Sequence, residues 1–219
     1  MKAFVSWSGG KDCSFALYKH LESNPDTEIV TLLNMNRIET QNAHRVSEEL
    51  LLAQAEAMGV PLRRETVDDS REYAYSFHKA IRRLIDEEGV ECGIFGDLYL
   101  EPHLTWIREQ CALMGITPIF PLLNIDVHDL YKEFVAVGFK SRVVAVRLTH
   151  PLQSLLGQDL NMDNYEEMIR IDGFDVCGEN GEFHSFVYDG PNFKHPVKLI
   201  VESEYTSAKH HGYYMGVEK

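Results

Sequence analysis

Several of the features that usually settle a protein's class are scarce or missing here. Basic residues are outnumbered: 21 Lys and Arg face 34 Asp and Glu, a formal charge of −13. Proteins that hold a nucleic-acid backbone carry basic patches, so no stable nucleic-acid partner is expected. No apolar run reaches the ~18–20 residues of a membrane span. No basic stretch leads into an apolar one at the N-terminus, so neither membrane insertion nor secretion is expected. There are four cysteines (Cys13, Cys92, Cys111 and Cys177), and no two are spaced as CxxC. A zinc or iron–sulfur site therefore has no support, and a cytoplasmic protein with reduced thiols is the default. Repeats and low-complexity tracts are absent. So are the two familiar phosphate patterns, GxxxxGK[ST] and GxGxxG.

What is present is ordinary globular chain. Of 219 residues, 44% are hydrophobic and 25% charged, enough to bury a core without covalent staples. Periodicity predicts strands at 2–7, 28–34, 62–67, 91–95 and 117–120. Helices are predicted at 11–22, 43–58, from Asp69 or Ser70 to 88, and at 102–114, with Gly59, Gly89 and Gly115 as stops. The regular β–α alternation implies an α/β fold with an open, doubly wound, five-stranded parallel sheet. After Pro121 the texture changes. A helix capped by Asp126, a strand at 141–148, a short helix at 161–169 and strands at 182–188 and 197–204 read as a smaller α+β domain. The expected division is 1–123 and 124–219. The aromatic C-terminus, with Tyr205, Tyr213, Tyr214, His210 and His211, reads as a docked terminal segment or an oligomer contact. A homodimer is the assembly it leaves open.

The first strand passes into the first helix through Ser8-Gly9-Gly10-Lys11-Asp12. Two glycines let the backbone turn tightly and approach a ligand. Amide N–H groups at the start of a helix make an anion site, and Lys11 adds a positive charge. Asp12 offers oxygen to the Mg²⁺ that accompanies a nucleotide. The bland alternative is a tight strand-to-helix turn. Gly96-Asp97 ends the fourth strand, on the side of the sheet where such folds bind ligands. Asp97 suits Mg²⁺ or a ribose hydroxyl, or else simply a helix N-terminus. His103 and His44 each open a helix and read equally as phosphate contacts or as packing residues. Gln54 reads as structural. Glu182 and His184 share a face if their strand is extended. Together with Glu179 they suit substrate binding or proton transfer from an amine, against a solvated polar edge as the alternative.

Ser-Gly-Gly-Lys-Asp after an N-terminal strand resembles the signature of the PP-loop ATP pyrophosphatases, the adenine nucleotide alpha hydrolases, whose fold is HUP or Rossmann-like. Further blocks resemble the diphthine–ammonia ligase family. These are His44 with Gln54–Leu62, Phe95-Gly96-Asp97-Leu98 with His103 and Trp106, and Cys177–Ser185 with Asp189-Gly190-Pro191. They extend over nearly the whole chain. The resemblance implies ATP and Mg²⁺ as cofactors. It places ATP against Ser8, Gly9, Gly10, Lys11, Asp12, Ser14, Gly96, Asp97 and His103, with adenine read by the main chain at Asn34 and Met35. Asp12 and Asp97 are the implied metal ligands. Glu101, Glu179, Asn180, Glu182 and His184 are the implied substrate residues. Lys11, Asp12, Glu182 and His184 are the implied catalytic ones.

Three segments depart from the family pattern. Cys13 stands where Ser or Thr is usual, with Ser14 following. Pro102-His103-Leu104 replaces Asp-His-Arg. Leu123 replaces a tryptophan. The implied reaction joins a substrate carboxylate to ammonia, with ATP cleaved to AMP and pyrophosphate. Two alternatives stand beside it: a family member acting on a small carboxylic acid, as in cobalamin salvage, and a regulator that binds ATP or AMP without chemistry. Thiolation of transfer RNA shares the loop but would call for basic surfaces and paired cysteines.

Overall fold

The computed structural model describes residues 1–37, 46–67, 72–149 and 151–218. The chain divides into two compact units. The first comprises Met1–Ser8, Asp12–Ala43 and Gly59–Asn124; the second comprises Gly9–Lys11, His44–Met58 and Ile125–Lys219.

The first unit is built on β1 (Lys2–Ser6), β2 (Glu28–Arg37), β3 (Leu62–Val67), β4 (Cys92–Ile94) and β5 (Thr117–Ile119). All pairings are parallel, in the order β3-β2-β1-β4-β5. This is the doubly wound sheet that the alternation predicts. The crossovers are α1 (Lys11–Ser23), α3 (Tyr73–Glu88) and α4 (Glu101–Met114), with α2 (Glu48–Met58) between β2 and β3 in the chain. Phe4 and Leu33 from the sheet pack with Phe77, Ile81 and Leu84 of α3 and with Ile107 of α4, all buried. Each such side chain contributes roughly 1.5–3 kcal/mol relative to exposure. Gly89 and Gly115 end α3 and α4 in the left-handed conformation, their N–H groups donating to carbonyls of the last turn. Arg63 of β3 bridges to Glu87 at 2.8 Å and to Glu88 at 2.7 Å, tying the edge strand to α3.

Two boundaries depart from expectation by several residues. The second strand runs to Arg37, so Asn34 and Met35 lie inside it, paired with Arg64 and Glu65 of β3. Helix α2 begins at Glu48; residues 46 and 47 are not helical, and the predicted start at 43 lies outside the described residues. The predicted caps Asp69 and Ser70, and His44, also lie outside them.

The second unit carries β6 (Lys140–Arg147), β7 (Phe183–Asp189), β8 (Leu199–Thr206) and β9 (His210–Val217). They form an antiparallel sheet in the order β7-β6-β9-β8. Strand β9 is a correction: the aromatic C-terminus is a full strand beside β6. Two helices, α5 (Val127–Ala136) and α6 (Met162–Met168), belong to this unit. Asp126 caps α5 through the N–H groups of His128 and Asp129. Asn161 and Asn164 form a reciprocal capping box on α6. The buried Tyr131 hydroxyl joins them, 2.9 Å from Asn164 Oδ1.

Candidate active site

The strand order places the switch point of the sheet between β1 and β4, whose connections run in opposite directions. Open α/β sheets bind ligands at the carboxyl ends of such strands. At the end of β1, the Trp7 N–H donates to Leu33 O at 2.8 Å, continuing the ladder by one residue. Ser8, half-buried, lies with its Oγ 3.6 Å from Cys13 Sγ. Cys13 thus packs against its own loop, and it is buried, as Ser14 is. All four cysteines are buried thiols. Burial raises the Cys111 thiol to about 11, which keeps it protonated and unreactive.

At the end of β4, Gly96 sits against the start of α1. A Cβ built there would lie 2.7 Å from the Asp12 carbonyl carbon and from the Cys13 nitrogen. The missing side chain lets the end of β4 close on the first turn of α1. Asp97 follows. Burial pushes its carboxyl up; His103, 3.7 Å away, opposes that, and the negative charge of Asp12 adds to it. Two carboxylates that repel each other at the end of a strand fit a divalent cation, for which oxygen ligands are preferred. Among the described residues, no group of three or more His, Cys, Asp and Glu side chains converges on one point. A cation held by Asp12 and Asp97 would take its other ligands from phosphate and water.

The side chain of Asn34 is committed to structure. Its Nδ2 donates to Trp7 O at 2.7 Å, and its Oδ1 accepts from Arg64 at 3.3 Å. The main chain of Met35 is placed differently. Along a parallel strand, alternate residues turn their N–H and C=O to the same side. Leu33 faces β1, and so does Met35, two residues on. The β1 register stops at Ser6 against Leu33, so the Met35 amide projects beyond the end of β1. Glu101 is the first residue of α4, is exposed, and pairs with Arg108 at 3.2 Å. Leu104, where the family pattern has arginine, is buried.

In the second unit, Gly9 takes a φ of +83°, a conformation open to glycine. Its carbonyl accepts from the Val187 N–H at 2.9 Å, so the loop continues the edge of the sheet beyond β7. It also accepts from Gln54 Nε2 at 3.1 Å. Lys11 is buried and its Nζ lies 5.9 Å from the centre of the Phe183 ring, a cation–π distance. The Gly178–Gly181 turn leads into β7, and both glycines have positive φ. Glu182 is only 4% exposed. Its Oε1 accepts from the Asp175 N–H at 3.4 Å, and its Oε2 has no hydrogen-bond partner among the described residues. His184, half-buried, packs its ring 4.9 Å from that of His210. Asn180 is exposed and its carbonyl accepts from Arg147. Glu179 is half-buried beside it in the turn.

The predicted residues therefore fall into groups. Ser8, Asp12, Ser14, Gly96, Asp97 and His103 gather at the ends of β1 and β4. Gly9, Gly10 and Lys11 belong to the second unit with Glu182 and His184. Glu101 stands apart with Arg108. Gln54 and His210 were not singled out as site residues. An amide inside an apolar helix face is the signal for Gln54; nothing local marks His210.

Two family models match the chain: "Diphthamide synthase N-terminal domain" over residues 1–118 and "Diphthamide synthase C-terminal domain" over residues 126–219. A diphthine–ammonia ligase from Danio rerio is 26% identical over 225 residues, covering 91% of this chain and 86% of that protein. The Homo sapiens protein of the same name is 26% identical over 230 residues, covering 93% and 84%. The Saccharomyces cerevisiae one is 23% identical, and the chain spans 35% of its length. Among solved structures, a predicted subunit of tRNA methyltransferase from Methanocaldococcus jannaschii aligns with TM-score 0.47 and 15% identity, over 87% of this chain and 98% of that one.

Proposed function

Given that the chain belongs to the diphthamide synthase family, we propose that it is an ATP-dependent ligase that activates a carboxylate as an acyl adenylate and couples it to ammonia. The observation that carries this reading is the close approach of Gly96 to the main chain of Asp12 and Cys13, which sets the end of β4 against the first turn of α1.

The loop N–H groups at the start of α1 hold phosphate oxygens of ATP, and Lys11 adds its charge. The main chain of Met35 offers one donor and one acceptor to the adenine edge. Asp12 and Asp97 would hold Mg²⁺, which when bound would neutralise phosphate charge. A carboxylate oxygen attacks the α-phosphorus, the bond to the bridging oxygen breaks, and pyrophosphate leaves. Ammonia then attacks the acyl carbon, AMP departs, and one proton is released. The protein contributes orientation and charge stabilisation. Glu182 is the candidate to accept that proton, and His184 to contact the acceptor. The name of the relatives supports diphthine as the acid.

The test is isotopic. The purified protein is incubated with ATP, Mg²⁺, ammonia and an acid whose carboxylate carries heavy oxygen. The candidate acids are a diphthine-bearing protein and small carboxylic acids. Adenylation predicts AMP that contains the label, together with amide and pyrophosphate. Formation of ADP, or of unlabelled AMP, would exclude the adenylate. ATP binding without turnover on any acid would favour a nucleotide-binding regulator instead.

A further inference from the structure

Gln54 is fully buried on α2, yet its side chain touches the nucleotide loop. Its Nε2 donates to Gly9 O at 3.1 Å and to Val187 O at 2.6 Å. The Val187 N–H completes the set by donating to Gly9 O at 2.9 Å. The loop carbonyl therefore has two donors, one from a helix and one from a strand. The site is tight as well: a Cβ on Gly9 would meet Phe186 at 2.9 Å, Leu51 at 3.0 Å and Gln54 Oε1 at 3.1 Å.

A trans peptide is planar, so its C=O and the following N–H point in opposite directions. Holding the Gly9 carbonyl towards Gln54 and Val187 turns the Gly10 N–H the other way. We propose that Gln54 is a positioning residue of the nucleotide loop, which by donating to the Gly9 carbonyl fixes the Gly9–Gly10 peptide so that the Gly10 N–H is presented to a phosphate oxygen of ATP. The inference rests on the reading of Ser8–Asp12 as the ATP loop. It also gives a reason for a polar amide inside an apolar helix face, where Leu or Met would pack more cheaply.

The probe is Mg-ATP, titrated calorimetrically into the purified full chain and into two variants. If the unaltered protein does not bind ATP, the reading of the loop fails, whatever the variants do. If it binds, Gln54→Met, similar in length and without a donor, should weaken ATP about tenfold, equivalent to about 1.4 kcal/mol. Gln54→Glu provides the diagnostic. Its carboxylate would face two carbonyls and donate nothing, so binding should be weakened more at about pH 8. As pH falls toward about 5.5, protonation restores one donor, and the ratio of its dissociation constant to that of the unaltered protein should shrink. A residue that only packs would show no such recovery. ATP affinity unchanged in a folded Gln54→Met, or a ratio for Gln54→Glu that does not vary with pH, overturns the proposal. Loss of the folded circular-dichroism spectrum in both variants also overturns it, because it makes Gln54 a residue of folding.

Discussion

Gly96 lies so close to Asp12 that a single added carbon would sit 2.7 Å from the Asp12 carbonyl carbon and 2.9 Å from its oxygen. Both neighbours are backbone, so neither can swing away. Gly96 is not among the glycines with positive φ, so the cost of substitution there is purely steric. Gly96→Ala should destabilise by about 1–3 kcal/mol, as overpacking does, and should raise the KM for ATP by displacing the start of α1. Gly89→Ala is the control. Its φ is +70° but nothing among the described residues lies within 4 Å, so it should cost about 1 kcal/mol in stability and leave the KM unchanged. Thermal denaturation and AMP production measure both.

Glu182 combines near-complete burial with one carboxylate oxygen that lacks a partner among the described residues. Such an oxygen costs stability, since a buried charge is tolerated only when its hydrogen bonds are met. Evolution retains groups of this kind where function requires them. Glu182→Gln should therefore melt at the same temperature or higher, while amide formation falls by about 100-fold or more. ATP affinity should be unchanged. A melting point well below that of the unaltered protein, with activity lost only in proportion to unfolding, would make Glu182 a structural residue.

The parallel sheet is legible in the sequence because its strands advertise burial on both faces: Ala3, Phe4 and Val5 are fully buried in succession. The loop is legible as a motif. What cannot be read locally is the cause of particular residues. Gly212 stands within β9 where the Tyr205 ring and Val144 O, both 2.7 Å from a built Cβ, leave no room for a side chain. A glycine that looks like a strand breaker is thus what allows the strand to pack, and β9 is hidden by it. Gln54 reads as structural from its helix alone; its partners are 45 and 133 residues away. Asn34 is expected at the site, but its amide turns inward to Trp7, and only the strand register shows that β1 stops short of Met35. The departures from the family pattern look alike in sequence. In the structure Leu104 is a buried apolar residue, while Cys13 is a contact of Ser8.

His20 should make the protein acid-sensitive in a definable range. It is 3% exposed, and its Nε2 lies 2.9 Å from Thr27 Oγ1. Burial lowers its pKa below the ordinary value of 6.5. The unfolded chain therefore takes up this proton first. Stability is undiminished above about pH 6.5 and is lost as pH falls through that value toward the lower folded one. His20→Gln removes the titration. Its melting temperature should change less than that of the unaltered protein between about pH 7 and pH 5.5. Parallel pH profiles of the two proteins would show that the site of the loss lies elsewhere.

If Asp97 holds the proposed cation, the demands of folding and of the metal can be separated at this one residue. Burial and the negative charge of Asp12 both disfavour its carboxylate, and His103 compensates only in part. The folded state at neutral pH thus holds a charge that it would hold more easily as a neutral group. Asp97→Asn keeps the shape and removes the charge. Without nucleotide, it should be as stable as the unaltered protein or more so. With ATP, the cation has lost one of two carboxylates, so the Mg²⁺ concentration for half-maximal AMP formation should rise about tenfold or more. A chelator should abolish turnover in both proteins. The opposite pairing, lower stability with an unchanged Mg²⁺ requirement, would mean that Asp97 serves the start of α4 and leaves the metal to Asp12.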